Sequence, residues 1–205
     1  MKKIFQFILI SFSCNLAVAQ QNLSKNFVTL SAGKCFNGSG DLRGFIYTTS
    51  YRYYYKKKWS WDVGLSGTIH DKSTPIFYNF NGVDYDGSVR ATIAGIQLTS
   101  HIGRSFIRNE RHEFSSLLGI LGRYHSSSLS DALSIYYPVG TNIPFPVVAH
   151  EQLEPMRQVA VGGDIQIQYN YTIKKNISIG IVAGFQTDSE GDNLSQLSIL
   201  VGYRF

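Results

Sequence analysis

The sequence from Ser195 to Phe205, SQLSILVGYRF, places an apolar residue at every second position of its last nine residues. Five apolar side chains would share one face of an extended chain: Leu197, Ile199, Val201, Tyr203 and Phe205. The opposite face would carry Ser198, Gly202 and Arg204. Because side chains alternate across a β-strand, this period of two predicts a strand with one face in apolar surroundings.

Seven further segments show the same alternation, and we predict a strand in each. They are residues 26–36, 45–55, 59–70, 88–107, 114–124, 159–173 and 177–185. In residues 88–107 the apolar phase changes at Ala94-Gly95, which predicts a β-bulge at Gly95. Residues 114–124 are apolar on both faces, and there we assign Leu118, Ile120 and Tyr124 to the outer face.

The first nineteen residues have the three parts of a secretory signal peptide. Met1-Lys2-Lys3 is basic, residues 4–12 are almost wholly apolar, and Ala17-Val18-Ala19 predicts cleavage before Gln20. A lipoprotein signal ending at Cys14 is the alternative. Cleavage after residue 19 would leave residues 20–205 as a single domain whose one cysteine, Cys35, cannot form an internal disulfide.

Composition argues against several other classes of protein. Without Lys2 and Lys3 the chain has 17 basic and 14 acidic residues, a net charge of +3, and no clustered basic helix, so we expect no nucleic-acid partner. After the signal, no segment approaches the run of about 20 apolar residues that a transmembrane helix requires. The five histidines are scattered without ligand spacing, and no nucleotide-binding glycine motif is present, so we expect neither a metal nor a cofactor.

The predicted connections fall into two classes. Those after the second, fourth and sixth strands are short and polar, at residues 56–58, 108–112 and 174–176. The other four include two long loops, at residues 71–87 and 125–155. Since alternate connections lie at the same end of an up-and-down sheet, short turns and long loops separate onto opposite sides, an asymmetry typical of outer-membrane barrels.

With its signal peptide, alternating strands, aromatic girdle (Tyr51 to Tyr55 beside Trp59 and Trp61) and final Phe205, the chain resembles the small bacterial outer-membrane β-barrel proteins of the eight-stranded OmpA/OmpX-like class. The resemblance implies an all-β, eight-stranded antiparallel up-and-down transmembrane β-barrel. It also implies a monomer in the outer membrane of a Gram-negative cell, surrounded by outer-membrane lipid and lipopolysaccharide. Delivery would need periplasmic chaperones and the barrel-insertion machinery. A soluble β-sandwich is the structural alternative.

A barrel of eight strands has an interior only just wide enough to be filled by side chains. Alternation assigns a polar set to that interior: Arg52, Asp62, His70, Arg90, Arg123, Asp164, Gln166, Gln168 and Arg204. Because isolated buried charges are too costly, these groups must pair. The result is either a solid polar plug or a narrow gated pore in which Asp62 or Asp164 exchanges partners among Arg52, Arg90 and Arg204.

We expect a structural or surface-interaction role with an unspecified ligand. Aromatic residues of the long loops would form a binding surface or pack on the rim: Phe77, Tyr78, Phe80, Tyr136, Tyr137 and Phe145. An enzyme is the alternative, since His125-Ser126-Ser127 resembles the His-x-Ser of outer-membrane lipid A deacylases, which implies His125 as base and Ser127 as nucleophile. That family has Asn after the serine, where Ser128 stands here, and a serine-rich loop start explains the pattern equally. Glu151 or Glu154 would be the third member.

Overall fold

Eight antiparallel strands close into a barrel in this computed structural model. It describes residues 23–38, 42–75, 77–80, 82–86, 88–128, 133–141, 147–150 and 156–205. The predicted signal peptide at 1–19, Cys14, Phe145, Glu151 and Glu154 lie outside the described residues.

The barrel strands are β1 (Asn26–Asn37), β2 (Leu42–Lys56), β3 (Trp59–Thr74), β6 (Val89–Arg108), β7 (His112–Ser127), β10 (Met156–Lys174), β11 (Ile177–Asp188) and β12 (Asn193–Arg204). Their order around the barrel is β1-β12-β11-β10-β7-β6-β3-β2. Each strand pairs with its sequence neighbours among these eight, and β12 closes the cylinder against β1. The eight-stranded antiparallel up-and-down barrel is therefore confirmed.

The long connections contain structure that the sequence did not predict. One carries the hairpin β4 (Phe77–Phe80) and β5 (Val83–Asp86). The other carries the hairpin β8 (Leu133–Tyr136) and β9 (Val147–His150), with a single helical turn α1 (Pro138–Thr141). Strand β3 also continues to Thr74 and β7 to Ser127, so the predicted loops at 71–87 and 125–155 begin later than expected.

Short turns and long connections lie at opposite ends of the barrel. We call the end with the turns at 57–58, 109–111 and 175–176 the turn end, and the opposite end the loop end. Asn26 and Phe205 exchange two backbone hydrogen bonds, of 3.1 and 3.0 Å, at the turn end. No helix among the described residues is long and apolar enough to cross a bilayer.

The terminal strand β12 shows why this sequence forms a barrel. Ile199 is 64% exposed on the outside, whereas its neighbour Leu200 is 1% exposed on the inside. Ile199 faces outward between Ala32 of β1 and Ile181 of β11, so apolar side chains continue from strand to strand around the cylinder. Exposed apolar side chains cover the outer face of all eight strands, as the alternation predicted.

Strand β6 is regular where a bulge was predicted, so the assignment of a bulge to Gly95 is wrong. Its pairing with β3 runs without interruption from Trp59–Arg104 to Thr74–Val89. Ile93 is only 4% exposed and faces the interior, in phase with Gln97. The register shift lies instead between Ser105 and Ile107, beside the turn end. An apolar residue inside the barrel produced the apparent change of phase.

Candidate functional site: the charged interior

Polar side chains in the interior of the barrel bond across it at three heights, between buried apolar side chains such as Phe27 and Leu200. We call these the middle, turn-end and loop-end networks. A recess lined by Asp164, Gln186, Leu194 and Gln196 is too small to admit a water molecule. Contacts between strands that are not neighbours matter most, because they cross the lumen.

Arg52 of β2 organises the middle network. Its Nε donates to Asp62 Oδ2 of the adjacent strand β3 at 3.1 Å. Its Nη2 donates to Gln168 Oε1 of β10 at 2.6 Å, and its Nη1 to Ser115 Oγ of β7 at 3.4 Å. Since β2 and β10 stand four places apart in an eight-strand ring, the Arg52–Gln168 bond spans the full width of the lumen.

His101 of β6 lies between two carboxylates in the same network. Its Nε2 is 2.6 Å from Asp164 Oδ2 of β10, and its Nδ1 is 3.4 Å from Asp62 Oδ1. The second contact is close enough for an ion pair but lacks the alignment of a hydrogen bond. Gln166 Nε2 also donates to Asp164 Oδ2 at 2.9 Å. Two carboxylates, a guanidinium and an imidazole are thus joined in one buried cluster.

Glu113 of β7 organises the turn-end network and is fully buried. Its Oε1 accepts hydrogen bonds from the Tyr54 hydroxyl at 2.5 Å and from Ser105 Oγ at 2.7 Å. Its Oε2 accepts one from Arg204 Nη2 at 2.7 Å. Tyr54 and Arg204 approach from β2 and β12, each three places from β7 in the ring, so this network also crosses the lumen.

Arg123 of β7 organises the loop-end network. Its Nη2 lies 2.7 Å from Asp188 Oδ2 of β11 and also pairs with Asp192. Gln97, which is paired with Arg123 across β6 and β7, exchanges two hydrogen bonds of 3.0 Å with the Gln186 amide of β11. These bonds close the lumen below the long connections.

Cys35 and His70 meet at the edge of the loop-end network. Cys35 Sγ lies 3.1 Å from His70 Nε2, although β1 and β3 are separated by β2. The residue between them in the pairing is Gly44, whose missing side chain leaves room for the imidazole. Cys35, the cysteine among the described residues, is free and buried.

Arg90 does not belong to the interior, which corrects the predicted set. Its side chain is 73% exposed, and its Nη2 lies 2.7 Å from Asp71 Oδ2 on the outer face of the loop end. The error follows from the bulge assigned to Gly95, because a regular β6 keeps Arg90 in phase with the outward Ile96. Hydrogen bonds from Arg90 lower the pKa of the Asp71 carboxyl, and the pair raises the pKa of Arg90.

The structure separates the remaining predicted residues by role. The three networks and their edges include every residue of the predicted interior set except Arg90: Arg52, Asp62, His70, Arg123, Asp164, Gln166, Gln168 and Arg204. Asp62 pairs with Arg52 as one of the predicted combinations, but Asp164 pairs with His101 and Arg204 with Glu113. His101 and Glu113 were missed, although each directly precedes an outward residue, Ile102 or Phe114, and alternation alone would have placed them inside.

His125 and Ser127 lie on the inner side of β7. His125 is 3% exposed, opposite Gly95 of β6, and its Nδ1 has no hydrogen-bond partner among the described residues. Ser127 is half-buried near the end of the strand. The catalytic roles stay a prediction. No three His, Cys, Asp or Glu side chains within the described ranges are placed to hold a metal ion.

Comparison with known proteins identifies the fold. No protein-family model and no curated sequence matches the chain. Among solved structures it is similar to Neisserial surface protein A, with a TM-score of 0.59 and 11% identity over 90% of this chain and 100% of that one. It is also similar to Ail, the attachment invasion locus protein of Yersinia pestis (TM-score 0.51, 12% identity, 89% and 99% covered), and to outer membrane protein OprG from Pseudomonas aeruginosa (0.51, 10%, 92% and 99%). At these identities the likeness concerns the fold, which is that of the eight-stranded outer-membrane barrels.

Proposed function

We propose that this eight-stranded barrel is an integral outer-membrane protein whose closed interior holds it rigid, and that its role is structural or surface-interacting. The observation that carries the proposal is the set of hydrogen bonds and ion pairs that cross the lumen at three heights. A filled interior offers no path for a solute, so the surfaces available for function are the outer face and the loop end.

The outer face supports a location in the membrane. Exposed apolar side chains on every strand would cost free energy in water at roughly 25 cal/mol per Å², whereas hydrocarbon accommodates them. Aromatic side chains ring the turn end on this face: Tyr51, Tyr53, Tyr55, Trp59, Trp61, Phe106, Phe114, Tyr169, Tyr171, Tyr203 and Phe205. Such rings sit at the level of the lipid headgroups. Outer-membrane proteins share the fold. The predicted signal peptide at 1–19 would export the chain.

Lipopolysaccharide is the proposed lipid partner at the loop end. A groove of about 430 Å³ on the outer face there is lined by the cations Lys34 and Arg43 and by Phe36 and Leu197. Phe36 pairs with Arg43 across β1 and β2, so the two cations lie diagonally beside each other. A phosphate beside two cations and an acyl chain against the apolar residues would fit this groove. We also propose that the barrel is a monomer and reaches the membrane through periplasmic chaperones and the barrel-insertion machinery.

The loop end is the proposed surface for a macromolecular partner. Phe77 and Tyr137 are both mostly exposed, beyond the end of the barrel. One of the similar structures, Ail, is named the attachment invasion locus protein. Deletion of residues 76–87 or 129–155, followed by measurement of surface binding, would test this role, with intact barrel folding as the control.

A single set of measurements tests the central proposal. We expect the detergent-extracted protein to run faster on a gel before boiling than after it, and to give no steady conductance across planar bilayers. Proteases added to whole cells should cut the long connections and leave the barrel. A protein that is monomeric and freely soluble without detergent would overturn the membrane location, and stepwise conductance would favour the narrow gated pore.

The hydrolase alternative has a separate test. A serine nucleophile and its histidine base have to meet the lipid that they cleave, whereas Ser127 and His125 both lie on the inner side of β7. We therefore expect cells carrying Ser127→Ala to keep the acyl pattern of the wild type, as measured by mass spectrometry of lipid A. If a deacylated form of lipid A is present in the wild type and missing from the Ser127→Ala cells, the protein is an enzyme.

A further inference from the structure

The two ends of the barrel carry opposite charge. The four connections at the loop end, residues 38–41, 75–88, 128–155 and 189–192, contain eight acidic residues and no Lys or Arg. They are Asp41, Asp84, Asp86, Asp131, Glu151, Glu154, Glu190 and Asp192. The turn end has the reverse composition, so its basic character does not follow from a generally basic chain.

Eight exposed cations surround the turn end, and we call them the basic rim. They are Lys25, Lys56, Lys57, Lys58, Arg104, Arg111, Lys174 and Lys175. Glu110 is the only exposed acidic side chain at this end within the described residues, because Glu113 is buried and paired. None of the ion pairs formed among the described residues includes a member of the basic rim. The charge of the eight side chains of the basic rim is therefore available to a partner.

Two register shifts turn rim lysines toward the outside of the barrel. The shift between Tyr54 and Lys56 places Lys56 opposite the outward Trp59. A second shift, between Thr172 and Lys174, places Lys174 opposite the outward Ile177. Because paired residues of antiparallel strands present their side chains on the same face, both lysines point sideways rather than off the end.

Arg104 is a third outward cation. It pairs with Trp59 across β3 and β6, and its guanidinium lies 5.5 Å from the centre of a Trp59 ring. These positions place Arg104, Lys56 and Lys174 beside the aromatic residues that encircle the turn end. Phospholipid headgroups would surround the barrel at this depth. We call these three the outer-face cations.

Arg108 holds this part of the rim in place from the inside. Its guanidinium stacks 3.5 Å from the centre of the Tyr54 ring and donates to the backbone oxygens of Lys57 at 2.9 Å and Ser24 at 2.6 Å. The β2–β3 turn and the segment before β1 are thereby tied to one half-buried guanidinium. The cations on both are presented by a fixed backbone, which lowers the entropic cost of binding.

We propose that the basic rim is a docking surface for anionic phospholipid headgroups, of the phosphatidylglycerol type, in the leaflet around the turn end. Unpaired cations at headgroup depth attract anionic lipid, and three of them face the lipid sideways. A cell-wall polymer lying beyond the membrane would instead meet the turn tips, Lys57, Lys58 and Lys175. This inference rests on the proposed membrane location.

The test compares two variants with the same change in charge at the same end. One is Lys56→Gln with Arg104→Gln and Lys174→Gln, and the matched control is Lys57→Gln with Lys58→Gln and Lys175→Gln. Each protein is refolded into nanodiscs of neutral lipid with a minority of phosphatidylglycerol. It is then extracted in mild detergent, and its co-purifying lipid is quantified by mass spectrometry.

We expect the wild type to retain phosphatidylglycerol at least about threefold above its bulk fraction, and the outer-face variant to retain it at the bulk fraction. The tip control should keep most of the enrichment, and about 1 M salt should abolish it because the screening length falls to about 3 Å. An inserted, heat-modifiable barrel without enrichment would overturn this inference while leaving the membrane location intact. Equal losses in the two variants, or binding to purified sacculi through the tip lysines, would overturn it as well.

Discussion

At the scale of single residues, Arg52 shows how a charge is held inside a narrow barrel. It is fully buried and contacts three strands, with Asp62 as its ionic partner. Removing one partner of a buried pair leaves an uncompensated charge, whereas removing both often costs little. The geometry therefore predicts a large difference between single and double substitution.

We expect Arg52→Met to lower the free energy of unfolding by about 3–5 kcal/mol, because Asp62 loses its guanidinium partner and keeps in the interior only its contacts with His101 and the Ser50 hydroxyl. The double variant Arg52→Met with Asp62→Leu should recover part of that loss. Urea unfolding in lipid vesicles, followed by the fluorescence of Trp59 and Trp61, measures both. Arg90→Met, which breaks an exposed pair, is the control and should lower the midpoint only slightly. An equal effect at positions 52 and 90 would contradict this account.

The exposed ion pair between Asp71 and Arg90 at the loop end can be tested by titration. Hydrogen bonds from Arg90 and Thr92 lower the pKa of Asp71. A depressed folded-state pKa means that the pair stabilises the fold above the ordinary carboxyl pKa, and that this contribution is lost as the pH falls through the lowered value. We expect NMR titration of Asp71 to give a midpoint below about 3.9, rising toward that value in Arg90→Gln. A midpoint that does not move in the variant would count against the pair.

Alternation predicted which residues face inward but not which of them pair. The period of two fixes a face from local sequence, so Arg52, Asp62 and Asp164 were placed correctly. Partners depend on the order and stagger of strands around the ring, and Glu113 meets Arg204 only because β7 and β12 lie across the lumen from each other. Tertiary geometry of this kind leaves no local signal.

At the scale of elements, β6 shows how a single residue can mislead a periodic pattern. Ile93 is apolar and inside the barrel, which suggested a change of phase and hence a bulge at the following glycine. Gly95 has a different reason to be small. A Cβ there would lie 2.8 Å from His125 Cβ and 2.9 Å from the Tyr124 carbonyl oxygen, so β6 and β7 approach too closely for any side chain.

Gly95→Ala is therefore expected to destabilise the barrel by about 1–3 kcal/mol through overpacking. Gly122→Ala is the matched control, because a Cβ at that position meets nothing within 4 Å on the outer face of β7. Its midpoint in urea should match the wild type or exceed it slightly, since alanine restricts the unfolded chain. If Gly95→Ala is tolerated, the close approach of β6 and β7 is not the reason for a glycine at this position.

At the scale of the whole molecule, the inner and outer faces of the barrel differ in the polarity of their side chains. Polar side chains inside bond to one another across the lumen, while the apolar side chains outside are exposed. This inside-outside division is the reason why we propose a function for the exterior and the two ends of the barrel. The connections at the two ends also differ in charge, and we propose anionic phospholipid at the basic rim of the turn end and lipopolysaccharide at the Lys34–Arg43 groove of the loop end.

Depth along the outer face distinguishes a membrane barrel from a soluble one. Ile199 and Ser195 both lie on the exposed face of β12, the first near the middle of the barrel and the second at the loop-end edge. In hydrocarbon, a charge at mid-depth costs about 2–4 kcal/mol and one near the interface about 0–1 kcal/mol. In water, both positions are exposed and an arginine would cost little at either. We therefore expect Ile199→Arg to reduce refolding into phospholipid vesicles severely and Ser195→Arg to leave it nearly unchanged, as quantified by the heat-modifiable band on gels. Equal yields for the two variants would mean that the apolar face of β12 does not meet hydrocarbon.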